Sequence, residues 1–491
     1  MKKLLFIFFA INCFAQPGTL DETFSSGTAV NLGSFSQWLK AAVVQSDGKI
    51  IVGGTFSIFN GETKRGIVRL NTDGSIDNSF AIGGGFDFVN ISSIPTVSDI
   101  AIQPDGKIIA VGNFDSFNGV FLNHGNIIRL NNDGSIDSNF NSINFGGNVF
   151  TVSLQQDGKI VVGGSFNGYY TIGNNGVTTN TPCKSILRLN SDGSIDTTFN
   201  VGIGPITNGG VGTVYKIIIQ PDEKILVGGD FYGFDTHYGN CLARILSDGS
   251  VDPSFQIGVG FQNDLGYSVV NDIDILPDQS IFITGDFSKF DNIPSNKFIK
   301  LTPTGYKDFN FGLDSSLNLT IRNTTIQNNG KIILCATGSL NGNYIWNTIR
   351  LNPNGTNDAT FQSGTNFNDL PFFSTLQSDG KILYFGPFTS YNGMPRINIA
   401  RITGDSPLLN NQTPVLNTIS VFPNPVTNVL NVSVQNENTI NAIQIYDLLG
   451  KIVIQNNGEN MHIATENISK GIYFIKVFSE NRIYQSKFIK E

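Results

Sequence analysis

Two histidines and four aromatic residues are the side chains best suited to surface chemistry: Phe121, His124, Tyr169, Tyr170, His237 and Tyr238. Imidazole can hold a metal or move a proton near neutral pH, and aromatic rings supply flat contact area. No third ligand stands at metal spacing from His124 or His237, so a metal or catalytic pair lacks support. Two readings of the six remain open: a contact surface for a partner, or ordinary packing of long loops. The chain holds 39 acidic residues, but most recur at repeated positions, and no acid pair for glycoside chemistry can be picked out. No G-x-S-x-G elbow is present.

Turns of the form N-x-D-G-S-I-D, as in Asn71 to Asp77, carry oxygen atoms like those of calcium loops. Arg69 occupies a place where such a loop needs an acid, and turn chemistry alone accounts for the Asp and Gly. Calcium is the weaker reading, and no cofactor is expected. Past the N-terminal segment only Cys183, Cys241 and Cys335 remain, with no C-x-x-C pair. Buried free thiols fit better than a Cys183–Cys241 bridge.

The elements that position these residues repeat. Seven copies of one sentence, first written VVQSDGKIIVGGTF and GIVRLNTDGSIDNSF, centre on Asp47, Asp105, Asp157, Asp222, Asp278, Asn329 and Asp379. Their spacing of about 55 residues lies near the range of propeller blades and solenoid units. The seventh copy stops at Ile402 without its ending, and Gly18 to Phe24 supplies one. A first strand that completes the last repeat closes a ring, whereas a solenoid would leave sheet edges exposed at both ends.

Each repeat reads as two hairpins whose turns end in a left-handed glycine. That register sets Leu70 opposite Ile76 and Arg69 opposite Asp77. The same eight-residue step joins Arg129 to Asp137, Arg188 to Asp196, Arg244 to Asp252, Lys300 to Asp308 and Arg350 to Asp358. Arg401 finds its partner at Asp21, across the closure. As cross-strand pairs these contribute roughly 0.2–1 kcal/mol each. Phenylalanines at two fixed positions, such as Phe56 and Phe80, read as packing between sheets, and glycines such as Gly54 and Gly112 as points of close approach between neighbouring sheets. Gln45 and its counterparts read as caps on the ring. The spacing varies in only two connections, and both emerge on the face opposite the tight turns. The six residues above belong to the variable face, which is the candidate binding face.

The QxDGKIxVGGxF and RLNxDGSIDxxF strings resemble the delta-60 repeat β-propeller family over residues 17–404. This resemblance implies a fold and little about function.

After Arg401 the chain becomes polar, then strand-like segments follow over about 75 residues. The strings FPNP, IYD..GK, GIYFIKV and KFIK resemble the type A C-terminal sorting domain of the type IX secretion system. The resemblance implies a Bacteroidota-type bacterium, a partner in the type IX secretion machinery, and a released or surface-attached product. The matching positions are Pro423, Asn424, Pro425, Gly450, Lys451, Gly471, Tyr473, Lys487 and Lys490. Met1 to Ala15 reads as a secretory signal peptide, with Lys2 and Lys3 before an apolar run. Cys13 follows Asn12, a poor lipoprotein box. No other apolar run reaches the roughly 18 residues of a membrane span. Without the two signal lysines, 29 basic residues face 39 acidic ones, which argues against a nucleic-acid partner.

The expected fold is all-β: a seven-bladed β-propeller over 16–404, closed by the N-terminal strand, then a linker over 405–417 and a small Ig-like β-sandwich over 418–491. The expected function is a non-catalytic binding or structural module for an extracellular glycan or protein, exported through the periplasm. The alternative is a hydrolase acting on glycans or phosphoesters at the variable-loop mouth of the propeller channel.

Overall fold

The computed structural model describes residues 16–27, 29, 38–89, 93–122, 125–172, 178–207, 210–264, 266–295, 297–312, 318–340, 343–405, 419–434, 440–447, 452–456, 461–479 and 483–491. These residues are strands, bridges and turns, with no helix among them. Two compact units divide the chain at Pro407 and Leu408.

In the first unit the same antiparallel sheet recurs at each anchor. In repeat 1, Trp38–Val44 pairs with Ile50–Thr55, which pairs with Ile67–Leu70. Both turns close as read from sequence, with Gly48 at φ 82° and Gly74 at φ 92°. Leu70 bridges Ile76, adding a short fourth segment at the sheet edge. The apolar residues of the second and third strands are buried, because both faces of each sheet pack against neighbours. The first strands neighbour one another in chain order, and Phe373–Leu376 of repeat 7 lies beside Trp38–Val44 of repeat 1.

The first strand of repeats 1 to 6 carries a β-bulge near its start, between Leu39 and Ala41 in repeat 1 and between Val97 and Asp99 in repeat 2. This bulge corrects the expectation for Gly54 and Gly112. A Cβ at Gly112 would lie 2.0 Å from the Thr96 carbonyl oxygen of its own repeat. These glycines therefore make room for the bulge, not for the next sheet. Close approach between sheets falls one residue earlier in three repeats. A Cβ at Gly228 would meet Val270 of the following repeat at 2.6 Å.

Each cation meets its carboxylate: Arg69 Nε to Asp77 at 2.7 Å, and the matching pairs at 2.7–2.8 Å, with Lys300–Asp308 at 3.4 Å. The arginines do more than pair within a repeat. Nη1 of Arg69 donates to the carbonyl of Asn132 in the next repeat, and Arg401 donates to that of Thr72 at 2.5 Å. Each guanidinium also covers the ring of the repeat's last Phe, 4.5 Å from the centroid for Arg69 over Phe80. Gln45 accepts from Arg69 at 3.5 Å, and Gln103, Gln155, Gln327 and Gln377 accept from the arginines of their repeats in the same way, whereas Gln220 Oε1 does not.

The N-terminal segment completes the last sheet. Leu20 bridges Ile402, and the Asp21 amide donates to the Arg401 carbonyl at 2.8 Å. Past Ile402 the chain keeps a remnant of the second turn, and Asp405 there pairs with Arg350 at 2.9 Å and Lys331 at 3.1 Å.

The second unit has two antiparallel sheets. One is Ile419–Phe422, Val429–Val434 and His462–Ala464; the other is Ile452–Asn456, Ile440–Tyr446, Gly471–Ser479 and Ile483–Lys490. Leu430 and Val432 of the first share one buried cluster with Ile445, Ile475 and Phe488 of the second. Within the FPNP string, Asn424 Oδ1 accepts from the Ile489 amide at 2.9 Å and clamps the motif to the last strand. Tyr473 stacks on Phe488 at 5.7 Å. Gly471 opens the strand that Lys487 and Lys490 face, whereas Gly450 and Lys451 lie outside the described residues.

Candidate functional site

The bulges of repeats 1 to 6 each aim one extra side chain toward the middle of the first unit, and Phe372 takes the matching place in repeat 7. These residues stand seven before each anchor: Lys40, Ser98, Phe150, Tyr215, Asn271 and Arg322, with Phe372 just ahead of its strand in repeat 7. A bulge breaks the in-out alternation of a strand, which is how it re-aims a side chain. Together with the residues beside them they line one cavity of about 670 Å³ to which every repeat contributes. It opens at the starts of the first strands, hence on the variable-connection face.

The wall has two aromatic arcs. Trp38 stacks on Phe372 at 4.8 Å, and Phe150 stacks on Tyr215 at 5.6 Å. Burial, then the Asp230 charge, raises the Tyr215 pKa, so this phenol stays protonated. Lys40 and Arg322 are exposed, and among the described residues neither is in an ion pair. Burial within the mouth lowers the Lys40 pKa.

Below the bulged residues lies a charged belt. Lys216 pairs with Asp272 at 2.8 Å. Burial opposes the Lys216 charge, but Asp272, Asp274 and Asp99 outweigh it and hold the ammonium above its ordinary pKa. Asp272 also accepts from Asn323 Nδ2 at 2.8 Å, and Asn323 accepts from the Ser374 amide at 2.9 Å. Asp99 accepts from the Val152 amide at 2.9 Å and the Ile100 amide at 2.8 Å. Burial pushes the Asp99 carboxyl up, against the pull of Lys216. Burial and the adjacent Asp272 push Asp274 up as well. Asp99, Asp272 and Asn323 thus tie neighbouring repeats together, and their oxygens are committed.

The residues singled out in the sequence sit elsewhere, on small outer hairpins between the second and third strands. Phe121 belongs to the Val120–Phe121 edge and is exposed. Tyr169 and Tyr170 lie in Gly168–Ile172 and are half-buried, Tyr169 against the core of its repeat. His237 and Tyr238 share one strand and border a second cavity of about 340 Å³ with Arg244, Asp252 and Phe255. Three different hairpins therefore carry them, and His124 lies outside the described residues. Asp73 accepts from the Ser75 amide and hydroxyl at 2.9 and 2.7 Å, so its turn already uses the oxygen that a calcium loop would need. Among the described residues no three His, Cys, Asp or Glu groups cluster as metal ligands. Cys183, Cys241 and Cys335 are free, and burial raises all three thiols, to about 11 at Cys241.

Family comparisons agree with the repeats and the tail. The model described as a domain of unknown function (DUF5122) beta-propeller matches residues 45–80, 103–140, 155–199, 220–255, 327–361 and 377–406. It leaves repeat 5 unmatched, where the structure holds the sheet Val269–Ile275, Ile281–Asp286 and Phe298–Leu301. The model described as a secretion system C-terminal sorting domain matches residues 420–491. No curated protein matches. Among solved structures, a catalytically inactive virginiamycin B lyase from Staphylococcus aureus is 12% identical, covering 76% of this chain and 98% of that one at a TM-score of 0.41. A gluconolactonase from Xanthomonas campestris is 10% identical, covering 77% and 98% at 0.34. PorZ, a surface component of the type IX secretion system of Porphyromonas gingivalis, is 10% identical, covering 92% and 86% at 0.17. At these scores the likenesses assign neither an activity nor a partner. The sorting domain marks the chain for export to the cell surface or for secretion, and no helix among the described residues is long and apolar enough to cross a membrane. Segments matching the DUF5122 β-propeller model recur through the first unit, and the chain ends in a type IX secretion C-terminal sorting domain.

Proposed function

We propose that the chain is a secreted or surface-attached, seven-bladed ring that acts as a non-catalytic binding module, with its ligand held at the central mouth. The signal peptide spans 1–15, the ring 16–404, the linker 405–417, and an Ig-like sandwich 418–491 serves as the export address. One observation carries this reading. The repeats agree at turns, ion pairs and packing phenylalanines, yet the bulged position that lines the mouth holds six residue types in seven repeats. A position with a purely structural task would repeat with the rest. The outer hairpins with Phe121, Tyr169, Tyr170, His237 and Tyr238 serve as a secondary contact surface in the same reading.

Asp274 is the observation on the side of a hydrolase, because its raised pKa suits a general acid. The neighbouring carboxylates speak against it: Asp99 and Asp272 are saturated by amide, amide side-chain and ammonium donors. A base or nucleophile needs a free lone pair aimed at substrate. Glycan-array and peptide-array screening of the full chain beside its Asn271→Trp variant tests the reading, since Asn271 is exposed in the mouth and Trp would fill it. The expected result is a set of ligands lost in the variant and recovered unchanged from the wild type. Ligands that survive the plug, or that are cleaved, contradict it.

A further inference from the structure

We infer that the mouth takes an acidic oligosaccharide, pyranose units bearing carboxylate or sulfate groups; this rests on the proposed reading of the mouth as the binding site. The arrangement of repeats 6, 7 and 1 carries the inference. Arg322, the Phe372–Trp38 stack and Lys40 follow one another around the wall, so an aromatic platform stands between two cations. Trp38 keeps 39% of its surface exposed although one ring face rests on Phe372, and that remaining indole surface suits the C–H face of a pyranose. Guanidinium and ammonium groups recognise carboxylate or sulfate through charge-assisted hydrogen bonds.

No carboxylate of the cavity is in ion-pair contact with these two cations: Asp272 pairs with Lys216 and accepts from Asn323, and Asp99 is held by two backbone amides. Lys40 and Arg322, without an ion-pair partner among the described residues, thus stand ready for an anionic ligand on a chain of net charge −8. Across the cavity, the Phe150–Tyr215 stack provides a second platform, and Asn271 provides neutral donors and acceptors for hydroxyls. An acidic peptide would use the cations and leave both platforms idle. The volume of about 670 Å³ fits a few linked sugar units and excludes a folded partner from the interior.

Calorimetric titration of the full chain tests the inference with four probes: an oligogalacturonate, a sulfated oligosaccharide of similar length, the carboxyl-reduced counterpart of the first, and a tetraglutamate peptide. Binding of either acidic sugar is expected, and the two separate carboxylate from sulfate recognition. The reduced sugar should bind about tenfold more weakly or worse. Arg322→Ala should lose most of the acidic preference, and Trp38→Ala should weaken acidic and neutral sugars alike, both with unchanged thermal melts. Equal binding of the reduced sugar, preference for tetraglutamate, or no binding by any acidic sugar overturns the ligand class. If array ligands of another class still vanish in the Asn271→Trp variant, the binding reading stands while this one falls; if none vanish, both fall.

Discussion

Arg401 and Asp21, 380 residues apart in sequence, meet at 2.8 Å in the same geometry that Arg69 and Asp77 reach across one turn at 2.7 Å. The last repeat borrows its carboxylate from the start of the chain. Lys381 joins the pair at 3.1 Å, as Lys49 joins Asp77 at 2.9 Å. Closure therefore reproduces a whole local network, not a single hydrogen bond.

That network changes the expected cost of removing a partner. A cross-strand pair at a sheet surface contributes roughly 0.2–1 kcal/mol. Arg401 and Asp21 are instead buried, at 6% and 8% exposure. Asp21→Ala leaves a buried guanidinium uncompensated and should cost about 3–5 kcal/mol. Asp77→Ala should cost about the same, which equilibrium urea unfolding can compare. A loss below 1 kcal/mol at Asp21 beside a large loss at Asp77 would show that the closing pair is not equivalent.

These carboxylates also set the acid limit. Burial resists ionisation of Asp252, but Ser254 and Arg244 outweigh it and hold the carboxyl at about 2, against an ordinary 3.8. A folded-state pKa below the unfolded value stabilises the fold at higher pH, and that contribution fades as pH falls through the folded pKa. The same direction holds at Asp21, Asp77, Asp137, Asp196 and Asp358. The contribution of these six carboxylates should fall steeply from about pH 4 toward pH 2, whereas the raised carboxyls of Asp99 and Asp274 act in the opposite direction and lower stability as pH rises above the ordinary carboxylate range. Urea midpoints measured over this range check it, and Asp252→Asn should flatten the slope.

The two glycine positions should separate by mutation. At Gly112 a Cβ meets a backbone carbonyl at 2.0 Å, which no side-chain rotation relieves. At Gly228 it meets Val270 Cγ1 at 2.6 Å, a side chain able to move. Gly112→Ala should therefore lower the melting temperature more than Gly228→Ala, the latter costing about 1–3 kcal/mol as an overpacked contact. The reverse order would contradict the role assigned to the bulge.

Most of the repeat was legible in the sequence because its physical demands recur. A left-handed turn needs Gly48, a buried guanidinium needs Asp77, and facing sheets need Phe56, so each repeat writes them again. The pairing of Leu70 with Ile76 follows from turn length alone. The mouth was not legible in that way. Lys40, Tyr215 and Arg322 occupy a column that does not repeat, and the bulge hides which way they point by breaking the strand's alternation. A signal was available: this is the column where an otherwise repetitive chain stops agreeing with itself. The loop aromatics belong to the variable connections, where binding residues concentrate on a rigid scaffold, yet loops of that length form paired hairpins of their own.

Deletion of Gln16 to Ser26 tests the ring most directly, because a mouth lined by every repeat requires that the ring close. The deletion removes Leu20 from Ile402 and Asp21 from Arg401, and exposes the edge of Ile399–Ile402. Light scattering after size exclusion, with a thermal melt, reads the result. The account predicts a lower melting temperature and self-association through the opened edge, reversed by adding the missing segment as a peptide. A truncated chain that stays monomeric and melts with the intact protein would contradict closure by the N-terminal strand.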